Sequence, residues 1–212
     1  MSSDSLLIYG SPESSPDLFH ATPTGIIDPF LYVEANGRRG ATVTLLDQHK
    51  VSPHGGEVLD PYDLGVDELF SRGISRYEVD LEISRRACEK LGLGRALVPP
   101  EFPTGLADHL RANGIELFVD PESFVTKRRV KTEAEIEGIR RAQRAADEAM
   151  GVAARMIREG GTTSEAVREA MQEVCEGHGC DLPDDVILSN GTQSAVGHDA
   201  GHGPIGEGEV VN

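Results

Sequence analysis

Long apolar runs are missing from this sequence of 212 residues. A helix that crosses a membrane needs about 18 or more consecutive apolar residues, and no segment approaches that length. The amino terminus also lacks the basic stretch and the apolar core of a signal peptide, because its apolar run extends only from Leu6 to Tyr9. The sequence therefore predicts a cytoplasmic protein with no membrane partner.

Cysteine and positive charge are also scarce. The three cysteines cannot all pair within one chain, which agrees with a reducing compartment. The net charge is −16, from 36 acidic and 20 basic residues, so the molecule repels phosphate backbones. We therefore predict no nucleic-acid partner. What remains is an ordinary globular composition, 38% hydrophobic, in a chain long enough for two domains.

Short strand-like and helix-like segments alternate through the first 120 or so residues. The dipeptide Asn36-Gly37 indicates a hairpin turn between two of the strands. This alternation predicts an α/β layer in which part of the sheet is parallel. The predicted strands are 6–10, 29–37, 41–47, 95–99 and 115–120, and the predicted helices are 66–73, 83–94 and 103–114.

A polar and basic segment, residues 121–131, predicts the connection between two domains, 1–125 and 132–212. Capping boxes at Thr132–Glu135 and Thr162–Glu165 predict two consecutive helices, which meet at a glycine corner. The second helix is predicted to end at Gly177 or Gly179. Beyond it, we predict a strand over 182–191 and the first residues of a partner strand over 208–212.

Two patterns in this second half suggest ligand binding, and neither fits its usual context. The GxGxxG match at 201–206 would require a helix directly after it, whereas a strand is predicted there. Cys175, His178 and Cys180 are possible zinc ligands, but a fourth ligand is missing, and the glycines around them indicate the end of a helix. We therefore predict no dinucleotide site from the first pattern and no metal site from the second.

Other catalytic patterns are weak or missing. Neighbouring carboxylates in a strand face opposite ways, so Asp184 and Asp185 would not converge on one ion. The nucleophile motif GxSxG does not occur, which argues against covalent acyl transfer.

Two histidines, His198 and His202, lie in the glycine-rich segment between the last two predicted strands, which we call the histidine loop (residues 197–206). Loop histidines can titrate or donate a proton near neutral pH, so catalytic and ligand-binding roles are open to them. The competing interpretation is a solvated side chain without a role.

Taken together, the segments from Lys131 onward resemble the creatinase, prolidase and Xaa-Pro aminopeptidase family. The resemblance rests on four blocks in the family's order: residues 131–150, 157–167, 186–199 and 203–212. Residues 1–120 resemble, more loosely, the amino-terminal domain of these enzymes. The implied fold class is α/β: an amino-terminal creatinase-like three-layer α/β domain, followed by an incomplete pita-bread α+β domain.

The resemblance also implies an activity, namely hydrolysis of the peptide bond before proline by an Xaa-Pro aminopeptidase or dipeptidase. Such enzymes use two divalent metal ions (Mn, Co or Zn), held by two aspartates, a histidine and two glutamates, and pack as homodimers. The substrate would be a proline-containing peptide. By resemblance His198 is the candidate catalytic imidazole, and His202 is a candidate substrate-binding residue.

In the family, all of the metal ligands follow the segment that resembles 203–212. We therefore expect no metal ligand and no bound metal in residues 1–212, and no catalysis by this chain alone. Two alternatives remain open: a creatinase-like hydrolase of a C–N bond in a small nitrogenous substrate, and a non-catalytic binding or dimerisation module.

Overall fold

A computed structural model of the chain describes residues 5–183 and 185–212. The chain divides into two compact units, which meet in sequence between Val130 and Lys131. Among the described residues, no helix combines the length and the apolar composition that a membrane span requires.

The amino-terminal unit is built on one mixed sheet of six strands. Its strand order is β4-β3-β2-β1-β5-β6, with β1 antiparallel to β2 and parallel to β5. The alternation in the sequence predicted this partly parallel sheet. The strands are β1 (Leu6–Gly10), β2 (Phe30–Ala35), β3 (Arg38–Ala41), β4 (Glu57–Val58), β5 (Arg95–Val98) and β6 (Glu116–Val119).

The hairpin between β2 and β3 has the predicted turn. Asn36 and Gly37 both have positive φ, 53° and 74°, as the favoured two-residue hairpin turns require. The strand predicted over 41–47 is wrong, because β3 ends at Ala41. Beyond it the Val43 N–H donates to the Ala41 carbonyl at 2.9 Å, which closes a tight turn. A short 3-10 helix, Leu45–Asp47, takes the place of the predicted strand.

Both faces of the sheet are buried, which makes the unit three-layered. Leu7 points to one apolar cluster, while its neighbours Leu6 and Ile8 point to another, as alternation along a strand requires. The first cluster is covered by α3 (Val66–Ser71), α4 (Arg76–Lys90) and α5 (Thr104–Ala112); the second is covered by α1 (Pro16–Ala21), α2 (Gln48–Val51) and α6 (Pro121–Arg129).

Helix α6 lies where the polar composition had predicted a connector. It begins with Pro121 after an Asp120 cap, whose side chain accepts a hydrogen bond from the Ser123 N–H at 3.3 Å. Its single fully buried apolar residue is Phe124, 2% exposed. One buried apolar residue in nine is too weak a signal for a helical period, which explains why the helix was missed.

The carboxy-terminal unit begins with two helices, α7 (Glu133–Glu159) and α8 (Ser164–Gly177). The capping box of Thr132 and Glu135 is present at the start of α7, as predicted. The cap of α8 differs from the prediction by one residue. Thr163, not Thr162, accepts the hydrogen bond from the Ala166 N–H, at 3.1 Å.

The remainder of this unit packs on the two helices without forming the predicted strands. Instead of strands over 182–191 and 208–212, these two segments meet in an isolated antiparallel pair, Asn190 with Val211, and a second such pair joins Thr163 to Pro204. The predicted acidic pair includes Asp184, which lies outside the described residues. The small core of the unit contains Ala145, Ala149, Ala153, Val167, Met171, Cys175 and Leu188.

Candidate active site

The histidine loop follows a short 3-10 helix, Gly191–Ala195, in the carboxy-terminal unit. The side chains of His198 and His202 are both exposed. His198 has a φ of 63°, in the left-handed region that few residues other than glycine adopt. A conformation of this kind costs about 1 to 2 kcal/mol and is often retained at functional positions.

The first turn of α8 holds the far side of the histidine loop. The Ser164 N–H donates to the Gly203 carbonyl at 3.0 Å, and the Gly203 N–H donates to the Glu165 carboxylate at 3.0 Å from each oxygen. The Ile205 N–H donates to the Thr162 carbonyl, also at 3.0 Å. Unpaired N–H groups at the start of a helix are ready hydrogen-bond donors, and here one of them binds the loop.

Glu165 therefore has a different role from the one its position in a capping box predicted. Hydrogen bonds from its own backbone N–H and from that of Gly203 lower the pKa of its carboxyl group. Because both bonds favour the ionised form, the carboxylate stays charged as it binds the loop.

Two further side chains fix the backbone beside His202. The Arg168 guanidinium donates to the carbonyls of Ala200 and Gly201, the second at 2.9 Å. The amide of Gln193 contacts His202 on both sides: its oxygen accepts from the His202 N–H at 2.8 Å, and its nitrogen donates to the His202 carbonyl at 2.9 Å. All of these bonds are made to backbone atoms of the loop, so they fix the backbone conformation. The exposed imidazole rings take no part in them.

A close backbone approach fixes the middle of the loop. The Leu188 N–H donates to the Ala200 carbonyl at 2.9 Å. At the next residue, Gly201, an added Cβ would lie 2.1 Å from the Leu188 carbonyl oxygen, and φ is +79°. Both observations require glycine at this position.

The segment before the loop is also tied to α8. Asn190 donates from its side-chain nitrogen to the Ser164 hydroxyl oxygen at 3.0 Å, and both residues are buried. The short 3-10 helix begins directly after Asn190, with Gly191 at a φ of 53°. Neither Arg168 nor Gln193 was recognised in the sequence, because their partners are carbonyl and amide groups that every residue has.

The described residues contain no group of three His, Cys, Asp or Glu side chains that could hold a metal ion. His178, one of the zinc candidates, contacts Glu148, with 2.8 Å between Nε2 and Oε2. The GxGxxG match lies in irregular structure, and no helix follows Gly206 in the described chain. The residues of the described chain thus do not fit a metal centre.

Comparisons with known proteins agree with this architecture. Residues 137–212 match the model of Metallopeptidase family M24. A search of curated protein sequences finds no match. Among solved structures, the prolidase from Pyrococcus horikoshii OT3 is similar with a TM-score of 0.69 at 20% identity, over 98% of this chain and 55% of that chain.

Two other solved structures give similar values. The Xaa-Pro dipeptidase from Bacillus anthracis has a TM-score of 0.71 at 17% identity, over 98% of this chain and 54% of its own. The X-Pro aminopeptidase from Thermotoga maritima MSB8 has a TM-score of 0.68 at 15% identity, over 98% and 55%. The chain thus spans about half the length of these structures. Together the matches confirm the predicted fold class, a three-layer α/β unit followed by pita-bread elements.

Proposed function

We propose that this chain, whose residues 137–212 match the model of metallopeptidase family M24, is part of a peptidase that hydrolyses the bond before proline. The proposal rests on the family match. It is supported by the fold, which over 98% of the chain is similar to a prolidase and to an X-Pro aminopeptidase. The proposed substrate is accordingly a proline-containing peptide.

His198 is the proposed catalytic residue. Its exposed imidazole lies on a loop whose following residues, Gly201 and Gly203, are bound by Arg168 and Glu165, so the ring is next to a fixed stretch of backbone. An imidazole so placed can stabilise the oxygen of the scissile carbonyl as negative charge develops, or protonate the departing group. His202, in the same loop, is the proposed substrate contact.

Two divalent ions (Mn, Co or Zn) are the proposed cofactors of the complete enzyme. When bound, such a pair would supply Lewis-acid chemistry at the scissile carbonyl and would lower the pKa of a nearby water. From the order of segments in the family that residues 131–212 resemble, we propose that the ligands lie in polypeptide outside this sequence and that residues 1–212 alone are inactive. Homodimer formation and a cytoplasmic location stay predictions.

The test compares two proteins: residues 1–212, and the product of the entire reading frame that contains them. Each is assayed with an Xaa-Pro dipeptide, a longer Xaa-Pro peptide and creatine, with and without manganese. We expect manganese-dependent cleavage of proline peptides by the whole product only. Turnover of creatine alone would favour the amidine hydrolase, and no turnover of any substrate would favour the binding module.

In the active protein, His198→Ala should lower kcat by roughly 100-fold, the scale of losing a general acid or an electrostatic helper. His178→Ala is the matched control, because His178 is at the opposite end of α8 and pairs only at the surface with Glu148. An unchanged kcat for His198→Ala would show that His198 is a solvated side chain without a catalytic role.

Titration calorimetry of residues 1–212 with Mn²⁺ or Zn²⁺ should show no tight, stoichiometric uptake, and tight uptake would contradict the proposed location of the ligands.

A further inference from the structure

The end of helix α8 brings two cysteines together. The Cys180 N–H donates to the Cys175 carbonyl at 2.9 Å, and the Gly179 N–H donates to the Glu176 carbonyl at 2.8 Å. Gly179 has a φ of +66°. These bonds define the Schellman motif, in which the third residue from the end of a helix contacts the second residue beyond its cap. In this chain both of those positions are cysteine.

The hydrogen bond limits the separation of the two residues. Standard bond lengths and the 2.9 Å contact place the Cα atoms of Cys175 and Cys180 less than about 7 Å apart, since the bonds between them are not collinear. Disulfides bridge Cα atoms separated by about 4.4 to 6.8 Å. Both side chains pack in the same apolar cluster, so both are directed to one side of the motif.

The two sulfurs differ in accessibility. Cys175 is buried, 5% exposed, whereas Cys180 is partly exposed. The third cysteine, Cys88, is fully buried in the amino-terminal unit, where burial raises the pKa of its thiol to about 12. Since the thiolate is the reactive form, Cys88 is inert and serves as an internal reference.

We propose that Cys175 and Cys180 are an oxidisable thiol pair that closes a disulfide across the end of α8 when the protein meets a low-molecular-weight disulfide such as oxidised glutathione. The inference is independent of the proposed peptidase function.

The reaction proceeds by two exchanges. The Cys180 thiolate attacks one sulfur of the oxidant, whose S–S bond breaks and releases one thiolate. The Cys175 thiolate then attacks the Cys180 sulfur in the mixed disulfide and expels the second thiolate. Two protein thiols are oxidised, the oxidant is reduced to two small thiols, and the two protons pass to those products or to water. Because Cys175 is buried, Cys180 reacts first.

The test uses residues 1–212 as the wild type and as the variants Cys88→Ser, Cys175→Ser and Cys180→Ser. Each is incubated with oxidised glutathione, quenched in acid, and measured by thiol titration and by intact mass without reductant. The wild type should fall from three titratable thiols to one and lose the mass of two hydrogen atoms. Cys88→Ser should lose both remaining thiols and form the same bridge, found by peptide mapping between residues 175 and 180.

The two remaining variants separate the steps. Cys175→Ser should stop at the mixed disulfide and keep one glutathione on Cys180. Cys180→Ser should react at least about 10-fold more slowly than the wild type, because only a buried thiol of the pair remains. A sample unfolded in urea, in which every thiol is reactive, shows that the reagent works.

Three results would overturn the proposal. The first is a folded wild type that keeps three thiols while the unfolded sample reacts. The second is accumulation of glutathione on both cysteines without closure of the bridge. The third is a bridge that includes Cys88, which Cys88→Ser would abolish.

Discussion

Each of the two units of this chain is stabilised internally in a different way. The amino-terminal unit buries large aliphatic side chains on both faces of its sheet, including Leu7 and Leu31, which are fully buried. The carboxy-terminal unit has a smaller core, in which three of the seven buried residues are alanines, and its irregular segment is bound to α8 by hydrogen bonds to the backbone. Large aliphatic side chains thus dominate the first unit, while backbone contacts add to a smaller core in the second.

The largest effect should come from the aliphatic core. Leu31→Ala should lower the free energy of unfolding by about 3 kcal/mol, because it removes a fully buried side chain from the centre of the sheet and leaves a cavity. Urea denaturation followed by circular dichroism measures this change. Leu46→Ala is the control, because Leu46 is 84% exposed and its loss should change stability by less than about 0.5 kcal/mol.

The next effect concerns the close approach in the histidine loop. Gly201→Ala should destabilise the loop by about 2 kcal/mol or more, since the new Cβ clashes with the Leu188 carbonyl and φ is positive. The control is Gly203→Ala: φ there is +75°, but nothing lies within 4 Å of an added Cβ. Faster hydrogen exchange at the Leu188 amide reports the loss. Equal effects of the two variants would show that φ alone matters.

A smaller effect is expected from the side chain that binds two loop carbonyls. Arg168→Ala should lower the stability of the loop by about 1.5 kcal/mol, the scale of hydrogen bonds made by a charged group. Exchange of the Leu188 amide again reports the change, because its acceptor, the Ala200 carbonyl, is one that Arg168 binds. Arg168→Lys keeps the charge but not the planar fork of donors, so it should recover only part of the loss. Full recovery of loop stability by Arg168→Lys would show that the positive charge alone accounts for the contact.

The smallest effect concerns the charged surface of α4. Hydrogen bonds from Arg85, with further support from Arg86, lower the pKa of Glu82 to about 2. Since the folded pKa lies below the unfolded value of about 4.5, this stabilisation is present above pH 4.5 and is lost as the pH falls toward 2. Water reaches the carboxylate in part, so we expect a contribution of at most about 1 kcal/mol. Glu82→Gln should remove this part of the pH dependence between pH 5 and 2, as measured by the unfolding midpoint in urea. Parallel curves for the wild type and the variant would contradict it.

The sequence predicted elements whose signals are local. The hairpin turn at Asn36-Gly37 and the capping box at Thr132 depend on the conformation of two to four residues, and the structure contains both. The prediction of a strand over 41–47 was wrong, because it relied on a β-rich composition that is typical of strands. Instead the buried carboxylate of Asp60 accepts a hydrogen bond from the Leu45 N–H, at 3.1 Å, which holds that segment in a turn.

Other features depend on partners distant in sequence and could not be predicted. Helix α6 is bound by contacts of Lys127 with Glu34, at 3.1 Å, and of Arg128 with Asp17. In the histidine loop, the sequence indicated His198 and His202, but the residues that fix their backbone were missed. A side chain that binds carbonyl groups leaves no pattern in the sequence, since its partners have no particular identity.

The hydrogen bonds between α8 and the histidine loop have a consequence for how the sequence of the loop can diverge among relatives. Its anchors bind carbonyl and amide groups, which remain whatever side chain is attached, and the strictest demand for a particular amino acid is at Gly201. The exposed side chain at position 202 can therefore be exchanged while the loop keeps its path, whereas the positive φ at position 198 favours glycine, asparagine, aspartate or histidine there. The backbone conformation of the loop thus depends little on its exposed side chains. Relatives with other reactive groups in the loop can therefore keep the same fold beneath it.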